Sequence, residues 1–151
     1  MKTTNDQVMP FIVDLARRMT DELGFVPRHA YARDLPLGLV DIQLENNEPC
    51  GFLYHGPIRP GHRVTIYQTA IAMDARRRAS ATALVMNLIQ RANLAKARSI
   101  TLRCAVELDA NLFWRAMEFE LVGITPGGQR RDRMIAIYHL ELSQSQPIFR
   151  T

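Results

Sequence analysis

Between Leu39 and Ala95 the hydrophobic period changes from two residues to about 3.6, and this switch restricts the folds open to the chain more than any other feature. Leu39-Val40-Asp41-Ile42-Gln43-Leu44 alternates, Glu45-Asn46-Asn47-Glu48-Pro49 reads as a turn, and Cys50-Gly51-Phe52-Leu53-Tyr54-His55 resumes the strand pattern. These segments predict a β-hairpin. After the connection Gly56 to His62, the run Arg63 to Met73 is rich in β-branched residues and suits a central strand, giving three antiparallel strands in succession. Leu84, Val85, Leu88, Ile89, Ala92 and Ala95 then share one helix face that reaches about Arg98, and Ser99 to Val106 reads as a strand again. A strand, helix and strand of this length favour parallel pairing of the two strands.

The flanks complete the pattern. Thr4-Asn5-Asp6 offers capping side chains, Val8, Ile12, Leu15, Met19 and Leu23 recur at helical spacing, and Gly24 is a stop. From Gly24 to Gly38 the text is mixed and broken by prolines, a loop of adaptable shape with room for a short helix around Ala30 to Asp34. A short helix is predicted over about Ala110 to Met117, and Phe119 to Ile124 with Met134 to Leu142 form a last hairpin across Pro126-Gly127-Gly128. The order helix, β-meander, helix, strand, helix, hairpin specifies an α+β layer with one mixed sheet.

At 151 residues the chain has the size of one domain, which is expected over 1–151. A domain of that size buries roughly 70% of the surface its unfolded chain exposes. Composition is that of an ordinary globular protein without biased or repeated segments. The net charge of +4 is modest, yet it gathers at Arg76, Arg77, Arg78 and at Arg130, Arg131, Arg133. Local anion binding fits that placement better than a whole-surface field. Cys50 and Cys104 lie far apart without a signal peptide or a metal-ligand spacing, so both read as free thiols of a cytoplasmic protein and no metal is expected. The longest apolar runs fall well short of the ~20 residues that a spanning helix requires, so no membrane partner is expected.

The chemistry-bearing stretch is Met73-Asp74-Ala75-Arg76-Arg77-Arg78-Ala79-Ser80-Ala81-Thr82-Ala83-Leu84, where the third strand becomes a helix. A helix start presents unpaired N–H groups and the positive end of its dipole, and small residues allow a phosphate to approach. Residue chemistry leaves two readings open, a phosphate-bearing ligand or a solvated arginine run before a core helix.

Asp74 to Ala83 resembles the acetyl-coenzyme A loop of the GNAT N-acetyltransferase superfamily, whose pattern is Gln or Arg, two residues, Gly, one residue, then Gly or Ala. Arg78 stands first, Ala81 stands at the first Gly, where its methyl group would crowd the pyrophosphate, and Ala83 is last. Ala110-Asn111-Leu112-Phe113-Trp114-Arg115-Ala116-Met117-Glu118-Phe119 resembles the family's short helix, with Ala110, Phe113 and Phe119 on pattern. Glu107 replaces the usual Asn, Trp114 the usual Tyr and Glu118 the usual Gly; Asn111 is one turn beyond the missing Asn. The resemblance runs from Leu39 to Leu142 in motif order. It implies a GNAT-like single mixed, mostly antiparallel sheet flanked by helices, lacking the family's usual first strand.

The resemblance further implies acetyl-coenzyme A as cosubstrate. Its pyrophosphate would lie on the N–H groups of Arg78, Ala79, Ser80, Ala81, Thr82 and Ala83, its pantetheine arm beside Ile71, Ala72 and Met73, with Asn111 and Trp114 flanking. Backbone N–H groups near Ile71 would polarise the thioester carbonyl, and an amine of a small-molecule or peptide acceptor would attack directly in a ternary complex. An amine of pKa ~10 must first lose a proton, for which Glu107, His139, His55 and Tyr67 are candidates. Trp114 cannot protonate the leaving thiolate as the family's Tyr does, and Tyr138 is the substitute. Asp34 and Glu107 are acidic groups that would attract a cationic acceptor. The plainer reading stays open for several of these residues: Tyr67 and Tyr138 as packed strand residues, His139 as structural, Phe113 and Trp114 as anchors of their helix.

Three functions compete at this point. One is N-acetyl transfer, the second a degenerate coenzyme A-binding or protein-interaction module without catalysis, and the third nucleic-acid binding through the arginine clusters. No base-reading motif accompanies those arginines and no aromatic residues are interleaved with them, so nucleic acid is not an expected partner. An exposed strand edge in so small a domain makes a homodimer a reasonable expectation.

Overall fold

The helix predicted at the start of the chain forms because its apolar positions fall on one side: α1 (Asn5–Arg18) buries Val8, Met9, Ile12, Leu15 and Ala16. Arg17 and Arg18 stand in its last turn, where cations meet the negative dipole end. The computed structural model describes residues 5–72, 77–127 and 133–142. A short helix, α2 (Thr20–Leu23), follows and is closed by Gly24 at φ 78°, whose N–H donates to the Thr20 carbonyl at 2.8 Å. The Gly24 to Gly38 segment is more regular than a loop, since α3 (Arg28–Asp34) occupies its centre.

The predicted meander is present as β1 (Val40–Glu45), β2 (Glu48–His55) and β3 (Arg63–Ile71). Its first turn is tighter than the text suggests, because Asn46 and Asn47 both take positive φ (54° and 66°), the two-residue geometry that suits a right-twisted hairpin. Pro49 therefore lies inside β2, at a register shift: Gln43 pairs with Gly51 and Leu44 with Pro49. A bulge is where an inner strand tolerates a residue without an N–H.

Beyond β3 come α4 (Arg77–Leu94), β4 (Ser99–Ala105), α5 (Ala110–Ala116), β5 (Glu120–Pro126) and β6 (Met134–Glu141). The strands form one six-stranded sheet in the order β1-β2-β3-β4-β6-β5. β3 and β4 run parallel over Arg63–Ile66 and Ser99–Leu102, as a strand, helix and strand unit demands, and β6 pairs antiparallel with both β4 and β5. The fold is α+β, a mostly antiparallel open sheet flanked by helices. The tip of the last hairpin, including Gly128, Arg130 and Arg131, lies outside the described residues, as do Met73 and Arg76.

Two compact units share the chain. One takes the residues up to His55 together with Tyr67–Met86, the other Gly56–Ile66 and the residues from Asn87 on. The first has a core of Val8, Ile12, Leu15, Tyr31, Phe52 and Ala70. In the second, Ile100, Leu102, Trp114, Phe119 and Tyr138 are buried. Burial of each such large side chain stabilises by about 1.5–3 kcal/mol.

Candidate active site

The first unit holds the strand-to-helix joint. Ala72 donates its N–H to the Cys50 carbonyl on β2 at 2.7 Å. Backbone direction alternates along a strand, so the N–H and C=O of Ile71 point to the opposite edge of β3. The β3 register with β4 ends at Ile66, leaving that edge at Ile71 without a strand partner among the described residues.

The predicted phosphate loop is not a loop. α4 begins at Arg77, so Arg78 to Ala83 are helical, and the N–H groups of Ala81, Thr82 and Ala83 reach back to carbonyls four residues earlier. Unpaired donors are confined to the first turn, at Arg77, Arg78 and Ala79. Arg78 and Ala79 are exposed, whereas Ser80 is buried with its Oγ 3.6 Å from Cys50 Sγ. The Ser80 side chain packs the helix on β2. Ala81 and Thr82 are half-buried and Ala83 is exposed.

A second group on the first unit was not legible in the sequence. Arg33 grips Asp34 with Nε and a terminal nitrogen at 2.8 and 3.0 Å, and the Tyr54 hydroxyl donates to the same carboxylate. The Arg33 guanidinium, then the Tyr54 hydroxyl, hold the Asp34 carboxyl down at about 2. Burial, then the neighbouring carboxylate, push the Tyr54 phenol up to about 12. Asp34 is thus a structural anion and not a group awaiting a cationic acceptor. A depressed native pKa means stability that is present above the unfolded carboxyl value of ~3.9 and lost as pH falls toward 2. In acid titrations the native chain should lose stability between about pH 4 and 2, and Asp34→Asn should flatten that part of the profile; an unchanged slope would exclude Asp34 as its source.

Tyr67 is half exposed on β3 and sets its ring edge-on to Tyr54 at 5.1 Å. Of the proton-acceptor candidates it alone lies on the strand that carries Ile71. His55 is fully buried, with Nε2 3.3 Å from Asp41 Oδ2. Gln68 is buried too, accepting from the Tyr31 hydroxyl at 2.5 Å and donating to the Gly24 carbonyl at 3.3 Å. It ties the turn between α2 and α3 to β3.

In the second unit Asn111 sits at the start of α5. Its Nδ2 donates to the carbonyls of Ala105 at 2.9 Å and Leu108 at 2.6 Å, and its Oδ1 accepts from Tyr138 at 2.7 Å. Tyr138 is completely buried, so its hydroxyl holds β6 to α5 and is not presented to a leaving group. Glu107 is exposed and paired with Arg133 Nε at 2.9 Å, and His139 Nε2 lies 2.9 Å from Glu141. Trp114 is buried between Phe113 and Phe119, an anchor for the helix. Burial pushes the Cys104 thiol up to about 11, which leaves almost no thiolate at neutral pH. A groove of about 350 Å³ between α5 and β5 brings Glu107 and Asn111 together with Leu112, Leu121 and Ile124. No residue of β3 or of the start of α4 lines it.

Glu118, at the usual Gly position, takes φ 71°, and its N–H donates to the Arg115 carbonyl at 2.9 Å. This is the left-handed stop that favours glycine. Glu118→Gly should therefore stabilise the chain by about 1 kcal/mol, a rise of roughly 2–4 °C in calorimetric Tm; no rise would show the strain to be absent.

The profile of the Acetyltransferase (GNAT) family matches residues 7–119, and the chain belongs to that family. No curated protein is matched by the sequence. Solved structures share the fold at low identity. Ribosomal-protein-alanine N-acetyltransferase from Brucella melitensis is 18% identical, with TM-score 0.75 over 94% of this chain and 98% of that one. The aminoglycoside 6'-N-acetyltransferase from Enterococcus faecium is 13% identical, with TM-score 0.76 over 97% of each chain. Salmonella typhimurium yncA, solved with its cofactor acetyl-CoA, is 13% identical, with TM-score 0.74 over 99% of this chain and 97% of that one. Among the described residues, no helix is long and apolar enough to cross a membrane.

Proposed function

We propose that this chain is an N-acetyltransferase that moves the acetyl group of acetyl-coenzyme A to an amine of a small-molecule or peptide acceptor, by direct attack in a ternary complex. The observation that carries this reading is the joint of β3 and α4, where an unpaired strand edge at Ile71 precedes a helix whose first turn offers free N–H groups. The residues fit the cofactor. N–H groups of Arg77, Arg78 and Ala79 can hold a pyrophosphate, the exposed Ala79 is small enough to let it approach, and the Arg78 side chain adds a charge-assisted donor.

Acetyl-coenzyme A supplies an activated acyl thioester. The Ile71 N–H is the donor placed to stabilise charge that develops on the thioester oxygen. Tyr67, half exposed on the same strand, is the side chain best placed to relay the amine proton, its hydroxyl accepting that proton as it passes its own to water. No buried hydroxyl need protonate the departing thiolate, because a thiol of pKa around 8.5 is a fair leaving group in water. Direct attack is supported by the cysteines, since both are buried and the Cys104 thiol is held protonated.

Calorimetric titration with acetyl-coenzyme A, followed by thiol release across a panel of amines and peptides, tests the reading. Saturable binding and amine-dependent thiol release are expected; no binding at high micromolar cofactor would sink it. The packed Trp114 at the usual Tyr position favours a second reading, a binding module without catalysis. Binding without turnover on any amine would select that one.

A further inference from the structure

The start of β3, the start of β4 and the end of α4 meet in the second unit, and every charged side chain that they bring together there is basic. Gly61 donates its N–H to the Lys96 carbonyl at 2.8 Å, Arg98 donates its own to the His62 carbonyl at 2.8 Å, and Arg63 pairs with Ser99 in the parallel ladder. The His62 N–H in turn donates to the Arg59 carbonyl at 3.1 Å. Arg59, His62, Arg63, Lys96 and Arg98 are therefore neighbours, and all five are exposed. No Asp or Glu occurs in 56–66 or 87–99. The carboxylate on the neighbouring strand, Glu141 opposite Ser99, is held 2.9 Å from His139 Nε2. None of Arg59, Arg63, Lys96 and Arg98 forms an ion pair among the described residues. Cations gathered without counter-charges repel one another and oppose compaction. Lys96 adds strain to that repulsion. Its N–H donates to the Asn93 carbonyl at 3.0 Å and that of Ala97 to the Ala92 carbonyl at 2.9 Å, the helix stop whose turning residue favours glycine, and Lys96 takes φ 61° there.

We infer that this basic face docks on the sugar-phosphate backbone of a double-stranded nucleic acid without reading its sequence. Its cations are not the two arginine clusters that stand out in the sequence; the pairing of β3 with β4 assembles them. A guanidinium can give two parallel hydrogen bonds to phosphate oxygens, which suits Arg59, Arg63 and Arg98 to this partner. The segments 56–66 and 87–99 hold no Phe, Tyr or Trp on which an unpaired base could stack, so a duplex fits better than a single strand. Leu94 is the one large apolar side chain that they expose, too little for the apolar centre of a protein interface. The face contains none of the residues proposed above for the cofactor or the amine, and it stands whether or not that reading does.

Fluorescence anisotropy with labelled duplexes of about 20 base pairs, RNA and DNA of one sequence, tests the inference; the matching single strand and polyglutamate serve as competitors. Micromolar binding is expected at about 50 mM salt, weakening roughly a hundredfold by about 200 mM as some four phosphates are neutralised. Both duplexes should bind, and the tighter one names the source of the phosphates. Arg63→Gln combined with Arg98→Gln should weaken binding at least about tenfold and lower the salt slope by about two. Arg17→Gln combined with Arg28→Gln removes the same charge from exposed positions of the first unit and should leave affinity within about twofold of native. Lys96→Gly should also bind more weakly while melting at an equal or higher temperature, whereas a cation that merely serves the end of α4 would give the reverse. Native affinity in the Arg63 and Arg98 variant would overturn the inference, as would an equal loss in the Arg17 and Arg28 variant, which would mark net charge alone. A tighter single strand, polyglutamate competing as well as unlabelled duplex, or no binding at the lower salt would overturn it too.

Discussion

Replacing Gly51 by alanine is expected to reduce acetyl transfer by about a hundredfold, although Gly51 is on β2 and touches no proposed ligand. A Cβ at Gly51 would collide with Ile71 Cδ1 and stand 2.8 Å from the Ala70 carbonyl oxygen. The Ile71 side chain can rotate away, but the carbonyl is backbone, so the end of β3 must shift. Displacement of the Ile71 N–H by a fraction of an ångström would misplace the donor proposed for the thioester oxygen. Overpacking of this kind also costs about 1–3 kcal/mol of stability. Steady-state rates at saturating cofactor, measured well below the melting point of the variant, separate the two effects. A variant that melts early yet turns over at the native rate would show that the position of β3 is not critical.

Replacing Trp114 by alanine should act on stability first, with a loss of about 3–5 kcal/mol. The indole is 6% exposed and lies edge-on to Phe113 at 4.9 Å and to Phe119 at 5.2 Å. Its removal opens a cavity under α5 and loosens the segment that carries Asn111, whose amide bonds the carbonyls of Ala105 and Leu108 and the Tyr138 hydroxyl. In a chain of this size the change corresponds to a fall on the order of 10 °C in melting temperature. Retention of the native melting point would mean that the aromatic trio is dispensable.

The elements and their order were legible because period and chemistry agree along most of the chain. Val8, Ile12 and Leu15 mark a helix, and β-branched residues mark β3. The Asn46-Asn47 turn was read too wide because Pro49 looks like a turn residue, and only the register shows that a bulge accommodates it inside β2. The start of α4 was read as a loop because the small residues Ala79 to Ala83 mimic one, although alanine is also the best helix former. For Glu118 the family glycine was the available signal, and the positive φ confirms that the position needs a left-handed backbone even where the residue resists it.

The site was less legible than the frame. Tyr138 is the substitute acid or a packed strand residue on sequence alone, and it is buried; a single tyrosine in an alternating run says nothing of which face the sheet covers. The triad of Arg33, Asp34 and Tyr54 joins residues 20 apart in sequence, and Gln68 meets Tyr31 across 37. Such pairings follow from how the strands and α3 pack and have no local signature.

The strand order has a consequence for synthesis of the chain. β6 lies between β4 and β5, yet it is the last of the three to be made. While the ribosome is still adding residues before Met134, β4 lacks its antiparallel neighbour along Ser99–Ala105 and β5 has no partner at all. One edge of β4 and both edges of β5 are then open to other chains, the condition under which nascent sheets associate wrongly. Arrival of β6 closes both ladders in one event, so the half of the sheet that it completes gains its order late and all at once.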